Sequence, residues 1–153
     1  MKTMYLIPLL LLYACSPSLI SFTEDERFIE VIDVPGSKNE LYLKANDWMI
    51  QTFNSAESVI QHSDKEEGVV IGKYLMHGSV SSGVYGAADT RVYAIIDIRV
   101  KDDRARLEIK PLDWYYDASG MTVYQFSKQD AINAINRLSD SFYKGLTKES
   151  VEF

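Results

Sequence analysis

The sequence predicts an α+β domain of two layers, a curved antiparallel sheet with two helices packed on one face, in the order β-α-β-β-β-β-α. Three observations carry this. The segment R-V-Y-A-I-I-D-I-R-V-K at 91–101 alternates, with Val92, Ala94, Ile96, Ile98 and Val100 on one face and Asp97, Arg99 and Lys101 on the other. After Asp102-Asp103, R-A-R-L-E-I at 104–109 alternates again, and one apolar face with one charged face marks an antiparallel sheet with a solvated side. Two further segments repeat apolar residues at steps of three and four, the period of a helix. A length of 153 residues fits one domain.

The elements follow in chain order. Phe28 to Val34, rich in β-branched residues, reads as the first strand and stops at Pro35-Gly36, a turn signal. Ser37-Lys38-Asn39-Glu40 has the capping-box pattern, a hydroxyl for an early N–H and a carboxylate three residues on to reach back. Leu41, Ala45, Trp48, Met49 and Phe53 then fall on one face of a helix over 38–54, which makes Trp48 and Phe53 core anchors. Ser58 to His62 and Val69 to Met76 read as strands joined by the polar turn Asp64–Gly68. Gly78 to Gly86 is a loop or irregular hairpin. Asp113 to Tyr124 is an aromatic connection with a glycine turn. Ser127-Lys128-Gln129-Asp130 caps a second helix whose apolar stripe is Ile132, Ile135, Leu138 and Phe142, with Gly145 as the stop.

The N-terminus has a different character. Lys2 is followed by an uncharged apolar run from Met4 to Tyr13, too short for a transmembrane helix, which needs about 20 residues. A short apolar run ending in a small residue is the pattern of an export signal. Cys15 is the only cysteine, so no intramolecular disulfide can form. The chain divides into a cleaved signal at 1–14, Cys15 and a tether at 15–26, the domain at 27–146 and a tail at 147–153. The formal net charge is −6, and removing residues 1–14 takes away only Lys2. An acidic domain repels phosphate backbones, so no nucleic acid is expected as a partner.

Leu12-Tyr13-Ala14-Cys15 resembles the lipobox of bacterial lipoproteins. Leu12, Ala14 and Cys15 match, and Tyr13 is larger than the pattern prefers. The resemblance implies a diacylglyceryl thioether on Cys15, cleavage before it, and an acyl chain such as palmitate on the new amino group. Two or more chains make membrane anchoring stable, at about 0.8 kcal/mol per buried methylene. The acidic residues Glu24, Asp25 and Glu26 lie some way after Cys15, so the periplasmic side of the envelope is expected in preference to the cell surface.

A second resemblance covers Phe28 to Leu112. V-I-D-V-P-G-S-K, the helix E-L-Y-L-K-A-N-D-W-M and S-V-I-Q-H-S-D-K-E-E-G-V-V-I-G-K together resemble a bacterial envelope family of unknown function with a TATA-binding-protein-like fold. The resemblance implies a fold and brings no site residue or activity with it.

Little else suggests chemistry. His62 and His77 are the only histidines; they read as surface or edge residues outside any metal motif, and only as neighbours on adjacent strands would they offer a metal pair. Gly78-Ser79-Val80-Ser81-Ser82-Gly83 has phosphate-loop spacing but lacks the Lys-Ser/Thr that must follow. Asp102 and Asp103 read as an exposed hairpin tip, not a catalytic pair. Trp114, Tyr115 and Tyr116 read first as core residues with alternate members inward, but they cannot all face one side of a strand, so at least one lies outward and the stretch is a candidate binding surface. The expectation is a non-enzymatic binding or accessory module, held at a membrane by Cys15, whose partner is an envelope protein or small ligand and which needs no cofactor. The alternative is an envelope hydrolase or metal-dependent enzyme built on His62 and His77.

Overall fold

In the computed structural model, the structure describes residues 19–21, 27–53, 59–78, 80–83, 86–89, 91–112, 114–116 and 126–148, with backbone alone at 19–21, 80–83, 86–89 and 114–116. The main sheet has five antiparallel strands. They are β2 (Phe28–Asp33), β3 (Ile60–Asp64), β4 (Val69–His77), β7 (Val92–Lys101) and β8 (Arg104–Pro111). Their spatial order is β2-β8-β7-β4-β3. Helices α1 (Lys38–Thr52) and α2 (Lys128–Thr147) cover one face. This is the expected two-layer α+β architecture.

Additional short strands extend it. β5 (Val80–Gly83) and β6 (Gly86–Asp89) form a hairpin where a loop or irregular hairpin is expected, and it runs on to Asp89. β1 (Leu19–Ser21) pairs with β9 (Trp114–Tyr116), a pairing that the reading of 15–26 as a tether and 113–124 as a connection does not anticipate. Strands of three residues are too short to show a period.

The core is the inner face predicted by the alternation. Ala94, Ile96 and Ile98 of β7 and Ala105, Leu107 and Ile109 of β8 are fully buried. Leu41, Ala45 and Met49 of α1 and Phe142 and Leu146 of α2 close over them. Both capping boxes form. Ser37 Oγ accepts from Glu40 N while Glu40 Oε2 accepts from Ser37 N at 2.8 Å. Ser127 Oγ accepts from Asp130 N while Asp130 Oδ2 accepts from Ser127 N at 2.9 Å.

Two expectations for α2 are corrected. Ile132 is exposed, and the buried stripe is Ala131, Ala134, Ile135, Leu138, Ser139, Phe142 and Leu146. Gly145 does not stop the helix; it lies inside it, where a Cβ would sit 3.0 Å from Trp48 Cδ1. The glycine is a contact point between helices, not a terminator. The buried Ser139 hydroxyl donates to Glu30 Oε2 from β2.

The turns at one end of the sheet are tied together. Asp103 Oδ1 accepts from Gly36 N at 3.0 Å, Asp103 N donates to Gly36 O at 2.9 Å, and Asp102 Oδ1 accepts from Lys38 N at 2.7 Å. Asp102 and Asp103 therefore brace the entry to α1 rather than forming a free hairpin tip. Beside them Val100 N donates to Gly68 O at 2.8 Å. Gly68 adopts φ +69°, and a Cβ there would lie 2.5 Å from Val100 O. Gly68→Ala is therefore expected to cost about 1–3 kcal/mol from backbone strain and steric conflict, read as a lower midpoint in urea unfolding. An unchanged midpoint would show that the β3–β4 turn can relax.

Candidate functional site

The two histidines are separated by the sheet register. In β3 the pairing skips at Gln61, so His62 stands opposite Ile71 on the outer, solvated face and is exposed. In β4 it skips between Leu75 and His77, so His77 stands opposite Val92, an inward residue. Six residues of β4 separate Ile71 from His77, about 20 Å of strand. The histidines are thus at opposite ends and on opposite faces, so they cannot form the metal pair on which the alternative enzymatic reading rests. Among the described residues no cluster of three His, Cys, Asp or Glu is placed to hold a metal ion.

The skip at Met76 is what builds a site. A β-bulge inserts one residue and re-aims the next side chain. Without it the two-residue period would leave His77 on the outer face with Leu75. With it, His77 turns toward α2 and stacks on Phe126, ring centroids 4.9 Å apart at 13°. Phe126 is buried with Val92 and Ala131, and Met76 packs against them.

An open cleft of about 410 Å³ results, lined by Met76, His77, Phe126, Asp130, Asn133, Ala134 and Arg137. Its lining from α2 recurs at helical spacing, 130, 133, 134 and 137, so one face of the helix forms a wall. Met76, Phe126 and Ala134 supply apolar surface. Asn133 and Arg137 are exposed and His77 is half-buried. The hydrogen bonds from the Ser127 side chain and backbone hold the Asp130 carboxyl below the usual carboxylate range. Burial opposes this, and the charges of His77 and Arg137 add to it. Sequence reasoning missed this site because a single extra residue in a strand leaves no periodic trace; the visible signal was the polar face of α2.

The other surface is the outer sheet face. Arg99 pairs with Asp97 at 3.0 Å, Arg106 with Glu108, and Arg104 with Asp33 at 2.5 Å. The Asp97 hydrogen bonds push the Arg99 guanidinium above its already high value. In the register Asp97 faces Glu108 and Arg99 faces Arg106, so like charges sit across strands and opposite charges alternate along them. Lys73 Nζ lies 4.2 Å from the Tyr93 ring centroid. On the same face Ile29 and Val31 of edge strand β2 and Leu75 of β4 are 43%, 55% and 40% exposed.

The remaining expected residues fall elsewhere. Trp114, Tyr115 and Tyr116 form β9 against Leu19–Ser21, and their side chains lie outside the described residues. Cys15, the expected lipidation site, also lies outside them. Among the described residues no helix is long and apolar enough to cross a membrane.

The family model described as a domain of unknown function (DUF4468) with TBP-like fold matches residues 28–114. The chain belongs to this family. A solved structure of a TBP-like protein from Parabacteroides distasonis is similar at 12% identity and a TM-score of 0.53, covering 78% of this chain and 91% of that one. A DUF4468 family protein from Bacteroides ovatus matches at 17% identity and a TM-score of 0.48, covering 83% of this chain and 89% of that one. No curated protein matches the chain. The first likeness shows the fold, in agreement with the resemblance read from 28–112.

The depressed Asp130 and Glu40 carboxyls make a pH prediction. A carboxyl lowered by folding stabilises the native state above its unfolded value, near ~4, and that contribution disappears as pH falls through the native value. Stability is therefore expected to drop below about pH 4, and Asp130→Asn to remove part of the drop in a pH series of thermal melts. An identical slope in the variant would show that the Asp130 cap does not contribute.

Proposed function

We propose that this DUF4468 chain is a lipid-anchored envelope module that binds a protein partner through its outer sheet face and performs no catalysis. The observation that carries the reading is the asymmetry of the sheet. Helices cover one face, while the other presents apolar side chains among arginines and lysines. Exposed apolar residues bordered by Arg are the composition of binding surfaces.

The face also differs from the chain in charge. Lys73, Arg99, Lys101, Arg104, Arg106 and Lys110 share this face with the carboxylates of Asp33, Asp97 and Glu108, whereas the whole chain carries −6. A partner with an acidic rim around an apolar patch suits it. Membrane attachment rests on Leu12-Tyr13-Ala14-Cys15 and the apolar run before it. Anchoring keeps the domain at one surface, which raises the local concentration for a weak partner there.

Two measurements test the reading. Mass spectrometry of the membrane-extracted chain is expected to find a diacylglyceryl-modified Cys15 at the N-terminus, and Cys15→Ala to release the chain from the membrane fraction. A free thiol at Cys15 would rule out the anchor. Crosslinking in native cells is expected to capture a protein partner that Val31→Glu loses. Because Val31 is exposed, its substitution should change stability by only about 0.5 kcal/mol. Undiminished capture by the variant would remove the sheet face from the reading.

A further inference from the structure

We propose that the cleft between the bulged end of β4 and the first three turns of α2 is a binding site for a small carboxylate with an apolar body. It lies on the helix side of the sheet, away from the face assigned to a protein partner, and does not depend on lipidation of Cys15. The argument starts from its size and its two kinds of lining. A volume of about 410 Å³ lies within the range of small-ligand pockets, and the open lining is more polar than apolar, which favours a ligand held first by its charged group.

The apolar part comes from Met76, Phe126 and Ala134. The polar part gathers the Arg137 guanidinium, the Asn133 amide and the His77 imidazole on one cleft. A guanidinium presents paired donors that match a carboxylate, and an amide and an imidazole add single donors. Asp130 is the one acidic member. Its Oδ2 accepts from both Ser127 N and Ser127 Oγ, at 2.9 and 2.7 Å, so this oxygen is committed to the helix cap. The Asp130 charge still disfavours a dianion on the same rim, which points to a carboxylate in preference to a phosphate.

The bulge gives the arrangement a structural cause. An extra residue in the ladder leaves pairing groups unsatisfied and is maintained where it re-aims a side chain. Here the side chain re-aimed is His77, which the skip carries from the solvated face to the cleft. The stack against Phe126 then fixes the ring plane.

The test is an NMR titration of the full chain in detergent micelles with benzoate, observing the imidazole resonances of both histidines. Saturable movement of His77 with His62 still is expected. Arg137→Gln, a substitution at an exposed position, is expected to keep the melting temperature and weaken benzoate by about tenfold, the loss of one charge-assisted contact. Benzamide, the uncharged counterpart, should bind weaker than benzoate. The proposal is overturned if His77 does not move, if Arg137→Gln binds benzoate as the parent does, if benzamide binds equally well, or if inorganic phosphate binds more tightly than benzoate.

Discussion

The two helices meet at Trp48. Its ring lies edge-on to Phe142 and Phe53 at centroid distances of 5.0 and 5.7 Å, and its indole N–H donates to Ser141 Oγ at 3.0 Å. The close approach needs Gly145, where a Cβ would press on the indole. Glycine inside a helix costs about 1 kcal/mol relative to alanine, and aromatic contacts of this kind return about 0.5–1.5 kcal/mol each beyond their burial. Lys44 Nζ adds a hydrogen bond to Leu146 O at 2.8 Å, satisfying a carbonyl of the last turn. The Trp48 contact fixes the C-terminal half of α2 against α1, so the N-terminal half projects over the end of β4 and forms the wall of the cleft.

At the opposite end of α1 a second constraint works through backbone groups. The turn at Asp102-Asp103 binds Gly36 and Lys38, which are 67 and 64 residues away in sequence. A turn closed only by local bonds would leave the entry angle of α1 free. Here the β7–β8 hairpin sets it, and α1 is held at both ends. The Asp102 and Asp103 carboxylates, already set aside as a catalytic pair, are consumed in this bracing.

Legibility in the sequence follows the length over which a period is sustained. β7 and β8 alternate for ten and eight residues, and their inward residues were readable one by one. The Ser37–Glu40 box and the stripe Leu41, Ala45, Trp48, Met49 were equally plain. In α2 the pattern favours Ile132 over Ala131 and Ala134, because larger apolar residues carry more weight in a period. The fold instead buries the small ones, since α2 must lie close to Val92 and Phe126. Gly145 was read as a stop because most glycines near helix ends are stops; the partner that gives it another purpose, Trp48, is nearly a hundred residues away. β1 and β9 are three residues long and pair across the whole domain, so nothing local announces them.

The cleft was the least legible part because it depends on a count and not on a pattern. One added residue at Met76 reverses the side on which His77 emerges, and the reading of β4 as a regular strand kept both histidines available to each other. The register separates their environments. His62 joins a face where like charges stand across strands and each is offset by its neighbour along the strand. Such a face tolerates exchange of surface charge and suits a broad contact. His77 joins a concave corner where an aromatic ring, a guanidinium and an amide converge, which suits a small molecule. The pleat separates the two faces of the sheet, and the bulge at Met76 decides which of them His77 joins.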